Sequence, residues 1–563
     1  MSVEPESSPL NGIRLHPRGA VLALLLAIYI FSGLIGHDPW KTDDAVTIGV
    51  VHDIVTHANW LTPGLAGRPY PDAPLYYWLA AATAHLSSWL LPVHEGARLA
   101  SGVCTLLALS FILLAARELH GRAAAPAAPL LLAGSIGFLF HAHEAQPMLA
   151  ALTAHTAAYW GLTLINRKPL AGAGCFAVAL GLGFLANGLV PMLSLLPIAG
   201  FVAWRSDKRR QTGLLLLAAL LLASAIAACW AFALLTTRPD FLHAFWREEL
   251  LQLTGSSQPL LSFPRVLLLL TWYAWPALPL AGWTLWARRR QLLGRQLSFP
   301  IFAFLASLVI ISVCFGTRSA PTLLLLPSLV LLAVPGVSSL RRGAANAFDW
   351  FAMITFSFFA LLAWAGWVAT TFGWPERLAS EVGRLEPGFT PQLSVVLIAL
   401  ALLATLIWSW LIATSPRSPM RGIVHWMAGL TLFWFLIATL WMPWIDYGKS
   451  YRPLSAGLAR ALPEKRECIA NGNLGDSLLA SLDYFDRIRT VGLDSPASTR
   501  CDLLLVQGSL KDESPLASAN WRKIWEGARP ADRRDSEKLK LYRRDNKPNR
   551  RTPGASVSPL LGN

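Results

Sequence analysis

Two adjacent carboxylates, Asp43 and Asp44, are the side chains of this sequence best suited to chemistry. They come shortly after an apolar stretch, 20–36, and could act as a general base, as ligands of a cation, or as both. The same pair could instead form the acidic first turn of a helix over 44–57, with Thr42 or Asp43 as its N-cap. The spacing by itself leaves these alternatives open.

A second group of candidate residues consists of His141, His143 and Glu144, in a short polar segment between two apolar stretches. A His-x-His-Glu segment could join Asp43 and Asp44 around a divalent cation. The alternative is a polar turn at a membrane interface. We favour the turn, because no second metal-binding motif accompanies these residues.

The composition places these candidates in a membrane protein. Of 563 residues, 54% are hydrophobic and only 14% are charged, which is too apolar for an ordinary soluble enzyme. The apolar runs are long and do not alternate, so they predict spanning α-helices rather than barrel strands. The net charge of +15 does not indicate nucleic-acid binding, since many of the basic residues fall in short loops between the apolar runs.

Thirteen stretches have the length and apolarity of a membrane span: 20–36, 98–116, 123–140, 147–165, 170–186, 188–204, 213–235, 265–286, 299–316, 320–337, 349–371, 391–412 and 423–445. A further segment, 74–91, is nearly apolar but rich in aromatic residues. If it does not cross, the basic loops after it face the cytoplasm; if it crosses, this asymmetry is reversed. We therefore predict that 74–91 is a helix in the outer membrane interface.

This topology predicts an inner-membrane protein with its N-terminus, 1–19, in the cytoplasm. The membrane domain covers 20–445, and its first periplasmic loop, 37–97, contains the acidic pair. The remainder, 446–547, is predicted to be a small periplasmic α/β domain, followed by a disordered tail, 548–563. The fold class is thus an all-α polytopic membrane protein with interfacial helices and a small C-terminal α/β domain.

The predicted C-terminal domain alternates strand-like runs with one helical run. The strand-like runs are 467–470, 488–493, 502–507 and 539–543, and the helical run is 475–485. Cys468 and Cys501 each lie at the start of a strand-like run. A periplasmic domain is in an oxidising compartment, so we predict a disulfide between them, with two free thiols as the alternative.

The first loop carries an ordered set of motifs: Asp38-Pro39-Trp40, the pair Asp43-Asp44, Asn59-Trp60-Leu61-Thr62-Pro63, Gly67-Arg68-Pro69-Tyr70 and Pro74-Leu75-Tyr76-Tyr77-Trp78. This order resembles the first periplasmic loop of the GT-C membrane glycosyltransferases, which include the aminoarabinose transferases of lipid A and the protein mannosyltransferases. Later segments are also similar, namely Phe245-Trp246-Arg247-Glu248, Trp272-Tyr273, Pro276-Ala277-Leu278-Pro279 and 318–327, so the resemblance covers most of 37–335.

The resemblance implies an enzyme that takes a sugar from a polyprenyl-phosphate carrier, with an active site facing outward. The acceptor would be a lipid A-like glycolipid, another glycan or a protein. Asp43 matches the first acidic residue of the family pair and is the candidate catalytic base, with Asp44 in support. Substrate-binding candidates are the cations Lys41, Arg68, Arg247 and Arg318, which could bind the phosphate leaving group, together with Asp72, Tyr76, Tyr77, Glu144 and Gln146.

Tyr76 and Tyr77 could stack on a sugar or a lipid, or they could anchor the chain at the membrane interface. The oligomeric state is not predictable from these patterns.

The chain departs from the family pattern at three places. Asp72-Ala73-Pro74 is shorter than the acidic-Lys-Pro-Pro motif of relatives and lacks its Lys. Gln146 occupies the place of an Asp, although Glu144 could replace that residue. Asn187-Gly188 occupies the place of a Lys-Gly. These departures leave open a second function, a non-catalytic transporter or binding protein for lipid-linked saccharides.

Overall fold

The computed structural model describes residues 17–40, 42–254, 259–316, 318–464, 466–508, 521–530, 532, 534 and 537–544. Lys41, residues 1–16 of the predicted cytoplasmic N-terminus and the predicted disordered tail, 548–563, lie outside the described residues. The described chain is mostly helical, with a small sheet near its C-terminal end. This agrees with the predicted fold class.

The α-helices are α1 (Pro17–Phe31), α2 (Thr42–His57), α3 (Leu75–Leu86), α4 (Val93–His120), α5 (Ala127–Ala133), α6 (Ile136–Ala142), α7 (Met148–Leu164), α8 (Pro169–Asn187), α9 (Leu189–Arg205), α10 (Arg209–Thr237), α11 (Pro239–Thr254), α12 (Pro259–Tyr273), α13 (Ala277–Ala287), α14 (Arg295–Cys314), α15 (Leu326–Ser339), α16 (Arg342–Phe372), α17 (Glu376–Leu385), α18 (Val395–Thr414), α19 (Arg421–Leu436), α20 (Met442–Lys449), α21 (Arg452–Ala461) and α22 (Asp476–Asp486). Short 3-10 helices lie at Pro321–Leu325 and Pro496–Arg500, and a π-helix at Ile437–Trp441 joins α19 to α20.

Eight helical segments of the described chain are long and apolar enough to cross a membrane, or nine if α12 and α13 form one span. The prediction of thirteen spans therefore stays a prediction. Two predicted spans are not continuous helices. The stretch 265–286 is bent by 105° between α12 and α13, where Pro276 has no N–H to donate. The stretch 123–140 breaks between α5 and α6, where Trp426 Nε1 donates to the Gly134 carbonyl at 2.8 Å.

Helix α3 covers most of the segment predicted to lie in the interface. It has 12 residues and is about 18 Å long, shorter than the hydrocarbon core of about 30 Å. This length agrees with a segment that does not cross. Its buried side chains include Tyr76, Tyr77, Ala80 and Ala84, which pack α3 against α2 and α4.

The strands are β1 (Gly64–Leu65), β2 (Arg68–Pro69), β3 (Ile469–Asn471), β4 (Val491–Gly492), β5 (Leu503–Gln507), β6 (Trp521–Gly527) and β7 (Leu539–Arg544). β1 and β2 form a hairpin in the first loop, and the other strands form a sheet of order β4-β3-β5-β7-β6. Each of the four predicted strand-like runs overlaps a strand, whereas β6 was missed. β6 is a mostly exposed edge strand with charged residues, so it lacks the apolar alternation of a half-buried strand.

A disulfide links Cys468 and Cys501. These residues precede β3 and β5, which pair in parallel, with Ile469 opposite Leu503. The predicted domain boundary at 446 falls inside α20, since α20 and α21 continue the last apolar helix toward the sheet.

Candidate active site

Asp44 lies in the first turn of α2 and is bound on both carboxylate oxygens by Arg98 of α4. Arg98 Nε donates to Oδ1 at 3.0 Å and Nη2 to Oδ2 at 2.7 Å, and the Ala145 N–H also donates to Oδ1 at 2.7 Å. Arg98 is fully buried and donates a further hydrogen bond to the His37 carbonyl at 2.8 Å. Asp44 thus fastens α2 to α4 and to the turn that follows α6.

The electrostatics of this pair keep Asp44 ionised. Burial by itself raises the pKa of a carboxyl group, but the positive charge and hydrogen bonds of Arg98 outweigh it, so that the pKa of Asp44 lies below its ordinary value. The carboxylate is enclosed by protein groups. This geometry favours a positioning role for Asp44, and the predicted support that it gives to Asp43 in catalysis stays a prediction.

Asp43, by contrast, is exposed at the start of α2. Its Oδ2 accepts a hydrogen bond from Gln146 Nε2 at 3.0 Å, while Gln146 Oε1 accepts from the Met148 N–H at 3.2 Å. The second contact fixes which end of the amide faces Asp43. Within the described chain Asp43 makes no ion pair. The neutral amide thus orients the carboxylate without neutralising its charge.

A chain of hydrogen bonds holds the turn that carries Gln146. The Gln146 N–H donates to Tyr76 Oη at 3.1 Å, Tyr76 Oη lies 2.6 Å from Ser101 Oγ, and Ser101 Oγ donates to the Glu144 carbonyl at 2.6 Å. Tyr76 is completely buried. It therefore supports the turn from inside the protein.

Tyr77 is also buried, and its hydroxyl donates to Asp72 Oδ2 at 2.7 Å. Stacking on a sugar and anchoring in the interface both require a ring at a surface. Both rings are buried here and both hydroxyl groups have protein partners, and substrate contact by Tyr76 and Tyr77 stays a prediction. Asp72 receives a second hydrogen bond from the Ala73 N–H at 2.7 Å.

The predicted metal-binding residues do not converge on one point. His141 Nδ1 lies 2.6 Å from Glu144 Oε1, whereas both nitrogens of His143 face backbone carbonyls, those of Tyr29 at 2.7 Å and Leu139 at 3.1 Å. In the described ranges no group of three or more His, Cys, Asp or Glu residues is placed to hold a metal ion. This arrangement does not fit the predicted metal site, and the divalent cation stays a prediction.

The candidate cations differ in their partners. Arg68 pairs with Asp476 at 3.1 Å, and Arg247 lies 3.4 Å from Glu248 on an exposed surface. Arg318 is exposed and has no ion pair with any residue that the structure describes. The backbone carbonyl of its neighbour Ser319 accepts a hydrogen bond from Tyr273 Oη at 2.8 Å.

The Tyr273 ring lies 6.3 Å from that of His141. Tyr273 thus links the Arg318 segment to His141, which bonds Glu144 in the turn that carries Gln146.

A buried carboxylate that we did not predict, Glu249 of α11, lies on the same helix face as Phe241 and Phe245. Its Oε2 accepts from the Leu189 N–H at the start of α9 at 2.8 Å. Burial raises the pKa of Glu249 to about 7, the Leu189 N–H opposes this, and the negative charge of Asp72 adds to it. The four-residue spacing of Phe241, Phe245 and Glu249 is the signal that could have identified it.

No protein-family model matches this chain. It is 27% identical over 454 residues to an undecaprenyl phosphate-alpha-4-amino-4-deoxy-L-arabinose arabinosyl transferase of Pseudomonas savastanoi pv. phaseolicola, covering 76% of this chain and 78% of the relative. It is also 27% identical over 451 residues to the transferase of the same name from Pseudomonas aeruginosa strain LESB58, covering 75% of each.

Among solved structures, ArnT from Cupriavidus metallidurans bound to undecaprenyl phosphate superposes with a TM-score of 0.64 at 16% identity, covering 94% of this chain and 98% of that one. Its apo state gives a TM-score of 0.59. The chain is a multi-pass membrane protein with the ArnT-like GT-C fold, and the predicted resemblance is confirmed.

Proposed function

We propose that this chain, a multi-pass membrane protein with the GT-C fold, is a glycosyltransferase that moves a sugar from a polyprenyl-phosphate carrier to an acceptor in the cell envelope. The names of its relatives support an undecaprenyl-phosphate-linked sugar as the donor. The acceptor class is the one expected from the sequence: a lipid A-like glycolipid, another glycan or a protein.

The observation that carries this proposal is the exposed Asp43 carboxylate, held by Gln146 beside the buried pair of Asp44 and Arg98. Asp43 takes the proton of the acceptor hydroxyl as its oxygen attacks the anomeric carbon of the sugar. The bond from that carbon to the phosphate oxygen breaks, and polyprenyl phosphate leaves with the electron pair. An acceptor that is already an ionised phosphate needs no base, and Asp43 would then orient it or hold a cation.

The leaving phosphate gains negative charge and needs a cation near it. Arg318 suits this role best, because its guanidinium is exposed, is free of ion pairs with described residues and lies on the segment that Tyr273 links to the Gln146 turn. Arg68, Arg247 and Lys41 are further candidates.

The proposed location is the bacterial inner membrane, with the N-terminus in the cytoplasm and both the first loop and the C-terminal domain in the periplasm. The charges of the loops support this orientation. The disulfide between Cys468 and Cys501 also supports it, since disulfides persist in the periplasm and are rare in the cytosol.

The test is Asp43→Asn in purified protein reconstituted with lipid A and undecaprenyl-phosphate-linked 4-amino-4-deoxy-L-arabinose. We expect kcat to fall by about 10²- to 10⁴-fold, the usual contribution of a general base, with undecaprenyl phosphate binding unchanged. Asp494→Asn, at an exposed position of the C-terminal domain, is the matched control. Normal turnover by Asp43→Asn would exclude Asp43 as the base.

A further inference from the structure

Helix α22 of the C-terminal domain lies directly against α2, the helix that carries Asp43 at its N-terminal end. The two helices approach closely at Gly49, where an added Cβ would lie 2.7 Å from Ala480 Cβ and 3.2 Å from Ala480 Cα. It would also lie 2.7 Å from Leu65 Cδ1, the end of a side chain that can rotate. Two helices that meet at such a distance hold each other in one position.

Tyr484 of α22 adds a second contact to the same interface. Its ring meets that of His52 of α2 edge to face, with centroids 5.2 Å apart, and its hydroxyl lies 2.7 Å from His94 Nδ1 at the start of α4. Tyr484 therefore touches both helices that contribute to the Asp44 and Arg98 pair.

Arg452 adds a third contact, to the segment that leads into α2. Its guanidinium binds both carboxylate oxygens of Asp38, with Nε donating to Oδ2 at 2.9 Å, and lies over the Phe485 ring of α22 at 4.6 Å. The Asp38 N–H also donates to Asp446 Oδ1 at 2.9 Å. The segment of His37 and Asp38 is thus held between Arg452 and Arg98.

From these three contacts we propose that the C-terminal α/β domain is a positioning element of the active site, which sets the place of Asp43 through the packing of α22 on α2. Gly49, Ala480 and Arg452 are its positioning residues. This inference rests on the proposed function.

The expected size of the effect follows from the geometry. Carbon atoms in contact lie about 3.5 to 4 Å apart, so a methyl group on Gly49 would push α2 and α22 apart by about 1 Å. A misplacement of about 1 Å at a catalytic group can cost about 100-fold in rate.

The test is Gly49→Ala in the full chain. We expect kcat to fall at least tenfold while the Kd for undecaprenyl phosphate stays within twofold. Adding Ala480→Gly removes the opposing methyl group and should return kcat to within about threefold of the wild type. Gly213→Ala, in α10 with no atom within 4 Å of the new Cβ, is the matched control and should leave kcat unchanged.

The double variant Gly49→Ala/Leu65→Ala relieves the contact with Leu65 of β1 and keeps the contact with Ala480 of α22. Recovery in that variant, without recovery in Gly49→Ala/Ala480→Gly, would overturn the proposal. An unchanged kcat in Gly49→Ala would overturn it as well.

Hydrogen exchange of the backbone amides supplies a readout that does not require activity. We expect Gly49→Ala to raise exchange in 42–57 by about tenfold, Ala480→Gly to reverse this, and 148–164 in α7 to stay unchanged. Unaltered exchange in 42–57 would overturn the proposal. If the wild type transfers no sugar, the proposed function fails, whereas the exchange result still decides whether the domain positions α2.

Discussion

Asp44 and Glu249 are two buried carboxylates, and each accepts a hydrogen bond from a backbone N–H. Arg98 compensates the charge of Asp44 on both oxygens. Among the described residues Glu249 has no ion pair, and the charge that acts on it is that of another carboxylate, Asp72. The pKa of Asp44 is accordingly lowered and that of Glu249 is raised to about 7. Burial is common to both, so the cation makes the difference.

The comparison of Asp44 with Glu249 also bears on two departures from the family pattern. Ala73 lies in the short Asp72-Ala73-Pro74 segment that lacks the Lys of the motif it resembles, and it donates its N–H to the Asp72 carboxylate. Asn187, at the place of the other Lys, precedes Gly188, where an added Cβ would collide with the Glu249 carboxyl group. Both segments thus lie near Glu249. Burial raises the pKa of Glu249 to about 7, whereas Arg98 keeps the pKa of Asp44 below its ordinary value.

The largest expected effect on stability comes from removing Arg98, the cation that binds Asp44. Arg98→Gln leaves the Asp44 charge buried without its cation, and we expect unfolding to become easier by about 3 to 5 kcal/mol. Thermal unfolding in detergent measures this. Arg167→Gln, which breaks an exposed pair with Glu118, is the control and should leave the unfolding temperature nearly unchanged. If both variants lost equal stability, Arg98 would not be the cause of the opposite pKa shifts of Asp44 and Glu249.

A smaller effect on stability is expected at Glu249, which has no ion pair among the described residues. This effect depends on pH. Between the unfolded pKa of about 4.3 and the folded pKa of about 7, the folded chain keeps a proton on Glu249 that the unfolded chain releases. Stability therefore falls as pH rises through this window. Relative to the wild type, Glu249→Gln should gain about 3 kcal/mol between pH 4 and pH 8.

Unfolding measured at both pH values for the two proteins gives this difference directly. Glu248→Gln is the control, since it changes an exposed carboxylate on the same helix and should leave the pH dependence as in the wild type. If both variants changed the pH dependence of stability equally, this would contradict a raised pKa at Glu249.

The smallest effect is expected from restoring one missing cation. Asn187→Lys places a positive charge next to Glu249 and should weaken the pH dependence of stability by about 1 kcal/mol, as an opposite charge lowers the pKa of a carboxyl group. The same pH-dependent unfolding measures it. Asn187→Met, similar in length but uncharged, should leave the pH dependence unchanged, and an equal effect of both variants would point to packing instead of charge.

Local patterns were enough for much of this molecule. The apolar runs predicted a helical membrane protein, and the strand-like runs after 466 predicted four of the strands of the C-terminal sheet. The helix over 44–57, one of two alternatives for the acidic pair, is present as α2. The motif order of the first loop led to the GT-C fold. These features depend on periodicity and on neighbours in the chain, which a sequence displays directly.

The different environments of Asp43 and Asp44 could not be predicted from local sequence patterns. Asp43 and Asp44 are adjacent and chemically identical, but successive residues of a helix point about 100° apart, so one faces the protein interior and the other the surface. The partners that separate them, Arg98 and Gln146, are 54 and 103 residues away in the chain. The sequence by itself determined that a carboxylate pair begins α2. Only the tertiary structure decided that Asp44 is bound by a buried cation and that Asp43 is exposed beside a neutral amide, because burial and charge compensation arise from contacts between distant segments.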